Sequence, residues 1–233
     1  MPNDETPTNR RAFITTVAGG TAAFAATVGA GSLLAQGRGF PEYPAPQGGW
    51  DLSWVDRIEK AKHRMVFDQP EIADGLAENN ALTYLKGYGE VYKTTDADMG
   101  VVIVIRHKGI AAAVNDEMWA TMKLGESENM KDPTTGETAL RNPLTGLKAD
   151  DKHAVTLIEG ALDALIARGV VVLVCNLALM RFSGRLAKEA NISAQEARTK
   201  IAASLVPGCI LQPSGIFAVA RAQEAGCHFL RST

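Results

Sequence analysis

The chain has 233 residues, 46% of them hydrophobic, which is enough to bury one core of ordinary size. Its formal net charge is −2 and only 6% of its residues are aromatic. That balance gives no electrostatic reason to expect nucleic acid or acidic lipid as a partner, and no platform for base stacking.

The first stretch reads as a targeting segment. Arg10-Arg11 is followed by Phe13, and from Ile14 to Ala35 there is no charge among many Ala, Gly and Thr residues. A basic start and a weakly apolar middle mark an export signal over residues 1–37, of the twin-arginine type. Ala35-Gln36-Gly37 has the small-x-small pattern of a cleavage site. An uncleaved anchor is the alternative, since ~20 residues suffice to span a bilayer, but the Gly and Thr content makes the run weakly apolar. Export implies a periplasmic, oxidising compartment and no membrane span in the mature form. Residues 38–50, "RGFPEYPAPQGGW", form a Pro/Gly linker without apolar period.

From residue 51 onward strands and helices alternate. "WDLSWVDRIEKAKHR" predicts a short helix with Trp54, Ile58 and Ala61 on one face. Arg64–Asp68 is a first strand. Pro70 suits a helix start, and Leu82, Leu85, Gly89 and Tyr92 continue the spacing. Val101–His107 opens with "VVIVI", the β-branched run of a strand covered on both faces. Ile110, Val114, Met118 and Met122 recur four apart and predict a helix. Residues 124–151 hold the turn signals "DPTTG", "RNP" and "LTG", and read as a long irregular excursion. Val155 to Ile166 predicts one amphipathic helix, ended by Gly169. Val170–Cys175 is a second buried strand. Ser193 to Glu196 is a capping box, and Pro207-Gly208 stops the helix it opens. Cys209–Pro213 is a strand, Ser214 an N-cap, and Cys227–Arg231 the last strand. The pattern predicts a three-layer α/β sandwich with a mainly parallel five-stranded sheet, one domain over 51–233.

Ligands of open α/β sheets sit outside the carboxyl ends of the strands. Asp68, Arg106, His107, Cys175, Asn176 and Ser214 fall there; Cys209 and Cys227 fall at amino ends. Cys175 also precedes a helix, whose first N–H groups favour a thiolate, and Arg106, His107 and Arg181 add positive charge. A cysteine filling the core is the competing reading. An odd count of three cysteines leaves at least one thiol unpaired. Cys209 and Cys227 could join in a disulfide if their strands are neighbours. No H-E-x-x-H, C-x-x-C, Walker loop or G-x-G-x-x-G occurs, so no cofactor is implied. Four histidines and three cysteines show no ligand spacing, and no metal site is assigned.

The carboxyl half carries a series of motifs: Gly169-Val170, a strand ending in Cys175, Pro207-Gly208, Pro213-Ser214-Gly215, and Gln223-Glu224-Ala225-Gly226. This series, over about residues 153–231, resembles the DsrE/DsrF-like family. The match is looser over 62–123 and does not cover the signal, the linker or the excursion. The resemblance implies a cysteine at position 175 that carries sulfur as a persulfide, a partner protein that donates or accepts sulfur, and assembly into homotrimers or hexamers. On that view Cys175 is the nucleophile, Arg106 and His107 hold it as thiolate, and Asn176 orients the group, with Ser214 and Asp68 facing the ligand. The alternative is a non-catalytic module of the same fold that binds a small ligand or serves assembly. A metal or haem accessory protein is a third class, suggested by the export route alone.

Overall fold

The computed structural model describes residues 45–46, 48–148 and 155–233. The targeting segment at 1–37, most of the linker at 38–50, and residues 149–151 of the excursion lie outside them. The sheet has five strands: β1 (His63–Gln69), β2 (Met99–Ile105), β3 (Val171–Cys175), β4 (Cys209–Gln212) and β5 (His228–Arg231). They run in the order β4-β3-β2-β1-β5, and every pairing is parallel. The three-layer α/β sandwich expected from the alternation is the observed fold.

The two central apolar runs behave as β-branched, doubly covered strands should. Every residue of β2 and of β3 is buried. Alternate residues serve opposite cores, because successive side chains in a strand point to opposite faces. Phe67, Ile103, Ile105, Val172 and Val174 belong to one core; Val66, Val102, Val104 and Leu173 belong to the other. The first core is covered by helices α2 (Leu76–Tyr92), α3 (Asp116–Thr121), α4 (Leu124–Ser127), α6 (Leu162–Ala167), α7 (Asn176–Ala190) and α8 (Ala194–Ala203), with α5 (Val155–Glu159) preceding α6. The second is covered by α1 (Trp54–Lys60) and α9 (Gly215–Glu224), through Trp54, Val55, Ile58, Ala218 and Ala222.

This division of helices sets the functional edge. The chain leaves β3 for α7 on one face and leaves β4 for α9 on the other. Cys175 pairs in register with Gln212 at the point where the two connections diverge. Such a divergence opens a crevice at the carboxyl ends of the strands.

Several expectations need correction. β2 ends at Ile105, so Arg106 and His107 lie just beyond it. The four-apart spacing from Ile110 to Met122 is not one helix. His107–Ala113 is a 3-10 helix, Val114 bridges to Leu205, and Asn115 Oδ1 accepts the Met118 N–H to start α3 afresh. The helix expected from Val155 to Ile166 is broken between α5 and α6, where Ala161 has extended backbone and its N–H still reaches Ile158 O. Gly169 does end α6, at φ +92°. The disulfide is excluded by topology: Cys209 opens β4 and Cys227 precedes β5, at opposite edges of the sheet, and all three thiols are free.

The described part of the excursion is largely irregular, as expected, apart from the short α4 at its start. It folds back onto the first core through Leu124, Met130 and Ala139, and Lys131 bridges to Thr138. The Trp119 indole N–H donates to Ala139 O at 3.1 Å. Asn142 is fully buried and anchors the segment: its Nδ2 donates to Ala112 O at 2.9 Å and Val114 O at 2.8 Å, and its Oδ1 accepts the Leu144 N–H at 3.0 Å. Those carbonyls lie at the end of the 3-10 segment after β2 and just beyond it, so one side chain ties the excursion to the stretch that follows β2.

Glu78, in the first turn of α2, is also buried. Its two oxygens accept from Gln69 Nε2, each at 3.0 Å, while Gln69 Oε1 has no partner. Loss of water around the carboxylate pushes its pKa up to about 7 from 4.5. The folded chain therefore keeps a proton that the unfolded chain has released, and stability falls as pH rises from about 4.5 to 7.

Two stability measurements follow from these contacts. Asn142→Ala leaves two buried carbonyls and one N–H unpaired and is expected to lower stability by about 3 kcal/mol in urea unfolding. Glu78→Gln removes the proton linkage and can satisfy Gln69 Oε1. Its urea midpoint should change little between pH 5 and pH 8, whereas the native chain should lose roughly 3 kcal/mol over that range.

Candidate functional site at the carboxyl edge of the sheet

Asp68 and Arg106 form the ionic centre of this edge. Arg106 Nε donates to Asp68 Oδ1 at 2.6 Å and Nη2 to Oδ2 at 2.7 Å, a bidentate fork. Asp68 is only 3% exposed. The Asp68 hydrogen bonds stabilise the guanidinium and raise its pKa further, despite partial burial, with a smaller contribution from Cys175. The Arg106 backbone is held as well, its N–H donating to Gln69 O at 3.0 Å.

The Pro213-Ser214-Gly215 motif has a local reason here. Ser214 Oγ accepts the Phe217 N–H at 3.0 Å and caps α9. A Cβ at Gly215 would lie 2.7 Å from Cβ and Cδ of Arg106. Glycine is therefore what lets the arginine side chain lie across the start of α9 on its way to Asp68.

Cys175 is the N-cap of α7. Its Sγ accepts the Ala178 N–H at 3.4 Å. A thiolate there is stabilised by the helix's first N–H groups and by its dipole. The residue is 5% exposed. Burial pushes the Cys209 thiol up to about 12 and the Cys227 thiol up to about 11.

His107 begins the 3-10 segment at φ +50°, in the left-handed region that side chains seldom adopt. Partial desolvation, reinforced by Arg106 and Arg181, lowers its pKa below 6.5. At neutral pH the ring is thus mainly uncharged. The expected role of His107 as a cation beside the sulfur fits only more acid conditions; Arg106 and Arg181 supply the permanent charge.

A cavity of about 340 Å³ opens between this segment and α7. Its titratable lining is His107, Lys108, Arg181 and Arg185 with one carboxylate, Glu128. Ala178 and Phe182 supply part of its apolar wall. Cys175 is not on that wall, yet Ala178 both lines the cavity and gives its N–H to Sγ.

The six residues expected at the edge are therefore divided. Asp68, Arg106, Cys175 and His107 share one electrostatic neighbourhood. Asn176 is fully buried away from it, its Oδ1 accepting from Arg198 Nη2 at 3.4 Å and its Nδ2 4.0 Å from Met180 Sδ. Ser214 is engaged as a cap and Asp68 by its arginine. Sequence reasoning passed over Lys108, Arg185 and Glu128; the only local signal was Arg181 and Arg185 four apart, on one side of α7. Among the described residues no three His, Cys, Asp or Glu side chains converge to hold a metal, and no helix is long and apolar enough to cross a membrane.

Fold and edge together define a parallel α/β protein with a cysteine capping a helix beside a basic cavity. Comparison with family models, with curated proteins and with solved structures returns no match.

Arg106→Leu strands a buried carboxylate and should lower stability by about 3–5 kcal/mol in denaturant unfolding. Combining it with Asp68→Asn, which removes the stranded charge, should recover much of that loss.

Proposed function

We propose that Cys175 is a carrier of sulfane sulfur in an exported DsrE-like protein. The observation that supports this most is the setting of its sulfur: at the carboxyl end of a central strand, accepting an N–H at the start of α7, with Arg106 close enough for its charge to be felt. The motif series from Gly169 to Gly226 supports the same reading. An exported location and a trimeric or hexameric assembly belong to it, and rest on the Arg10-Arg11 segment and on the resemblance.

The chemistry is a sulfur exchange. The Cys175 thiolate attacks the outer sulfur of a donor persulfide. A new S–S bond forms on Cys175 as the donor's S–S bond breaks, and the donor leaves as a thiolate. The oxidising equivalent travels with the sulfur atom, so no separate oxidant is consumed. Reversal hands the sulfur to an acceptor thiol. Arg106 and the Ala178 N–H stabilise the anionic sulfur in either state.

The second reading, a small-ligand-binding module, draws on the burial of Cys175 and its absence from the cavity wall. Persulfide labelling after polysulfide exposure separates the two. The carrier reading expects one added sulfur on the Cys175 peptide and none in Cys175→Ser. No label on Cys175, or equal labelling of the variant, favours the module.

A further inference from the structure

The two edges of the sheet differ. β4 has no exposed residue, whereas every residue of β5 is exposed, Phe229 at 46% and Leu230 at 44%. A bare edge strand offers a row of unpaired backbone groups to another strand. Which groups are free follows from the pairing with β1. The Ser232 N–H donates to Asp68 O at 2.8 Å, so Ser232, Leu230 and His228 turn their backbone groups toward β1. Phe229 and Arg231, of the other parity, turn theirs away from the sheet, and among the described residues no strand pairs with them there. Cys227 continues that parity, but its N–H is taken by Ala222 O at 3.0 Å, which leaves its carbonyl to face outward. Register with Val66 puts Phe229 on the face of α1 and α9, and register with Phe67 puts Leu230 on the face of α2.

We propose that β5 is the seam of a homodimer, pairing antiparallel with β5 of a second copy about a two-fold axis through Phe229. The contact goes beyond the carrier reading and does not rest on it. Opposed residues in an antiparallel pair share one face, so Phe229 meets its own counterpart. Both of its backbone groups bond across the seam, and the Arg231 N–H reaches the Cys227 carbonyl of the second copy. The Phe229 rings pair on one face, and His228 lies opposite Leu230 on the other. Charge matches in the same register. Arg231 comes beside the turn that ends α9 of the second copy, where Glu224 is 70% exposed. Among the described residues Arg231 has no carboxylate at ion-pair distance, because its register neighbour Asp68 is held by Arg106. Glu224 has only a long contact, 3.8 Å, to Arg221, which also bonds Glu59 at 3.1 Å, and the nearby Arg64 donates to Ala225 O at 2.9 Å. Moving the axis to Leu230 would make the two Arg231 side chains diagonal neighbours on one face, and their like charges disfavour it. The edge thus complements itself, which singles out a second copy of this chain as the occupant.

The test uses the full chain. Light scattering and sedimentation equilibrium should give a dimer, or a larger assembly built from dimers. Hydrogen exchange should find the Phe229 and Arg231 amides protected in it. Phe229→Lys puts a charge on the seam without removing a bond to β1, and should weaken the dimer by at least about tenfold and expose those amides, with circular dichroism unchanged. Glu224→Arg should weaken it too, and Glu224→Arg/Arg231→Glu should restore it. A monomer with freely exchanging amides overturns the seam. So does a trimer in which they exchange freely, although the trimeric assembly then stands. Protected amides in a monomer, or protection that Phe229→Lys leaves unchanged, overturn the assignment to a second copy. Failure of the double reversal to restore assembly overturns the register.

Discussion

Asp68 is a carboxylate taken almost wholly out of water, and the Arg106 fork is what makes that state tolerable. Asp68 lies next to the end of β1 and Arg106 just beyond β2, so the pair locks these adjacent parallel strands at the edge where the connections leave the sheet. Other features fall into place around it. Gly215 has no side chain because Arg106 occupies the space a Cβ would need. Ser214 caps α9 directly beside it. The 3-10 segment that begins at His107 starts from a backbone already pinned by the Arg106 N–H on Gln69 O. Asn142 then grips the far end of that segment through Ala112 O and Val114 O.

Charge at this edge is arranged in two steps. The buried Asp68–Arg106 pair is nearly neutral as a unit, and its remaining field falls on Cys175 and His107. Farther out, Lys108, Arg181 and Arg185 line a cavity with Glu128, whose carboxylate feels Lys108 and Arg185. The cysteine therefore lies between a satisfied ion pair and a helix whose residues also line the basic cavity. Cys175 Sγ accepts the Ala178 N–H at the start of α7, whereas burial keeps Cys209 and Cys227 as neutral thiols.

Much of the sheet was legible in the sequence. Runs such as "VVIVI" and "GVVVLVC" are continuous because both faces of a central strand are covered, and that signal is local. The caps at Ser193 and Ser214 were legible for the same reason. What failed depends on distant parts of the chain. The four-apart spacing through Ile110 and Met122 fits a helix, but Val114 is drawn into a bridge with Leu205 and Asn115 restarts the helix. The excursion was legible as turn-rich, but not its anchor, a buried Asn142 whose partners lie 28 and 30 residues away. The proposed disulfide failed because strand order is not written in strand spacing: the last strand crosses to the opposite edge, beside β1. At the site, placing Asp68, Arg106 and Cys175 at one edge needed only parallel strands. The basic cavity needed the packing of α7 against the segment after β2, which no local pattern encodes.

The central claim is that Cys175 differs in kind from the other two cysteines. Its most direct test is the rate at which each reacts with a small thiol reagent on the folded chain at neutral pH, read peptide by peptide. The account predicts that Cys175 is modified first, with Cys227 and Cys209 far slower. A Cys175 that reacts no faster than those two, or only once the chain unfolds, would contradict it.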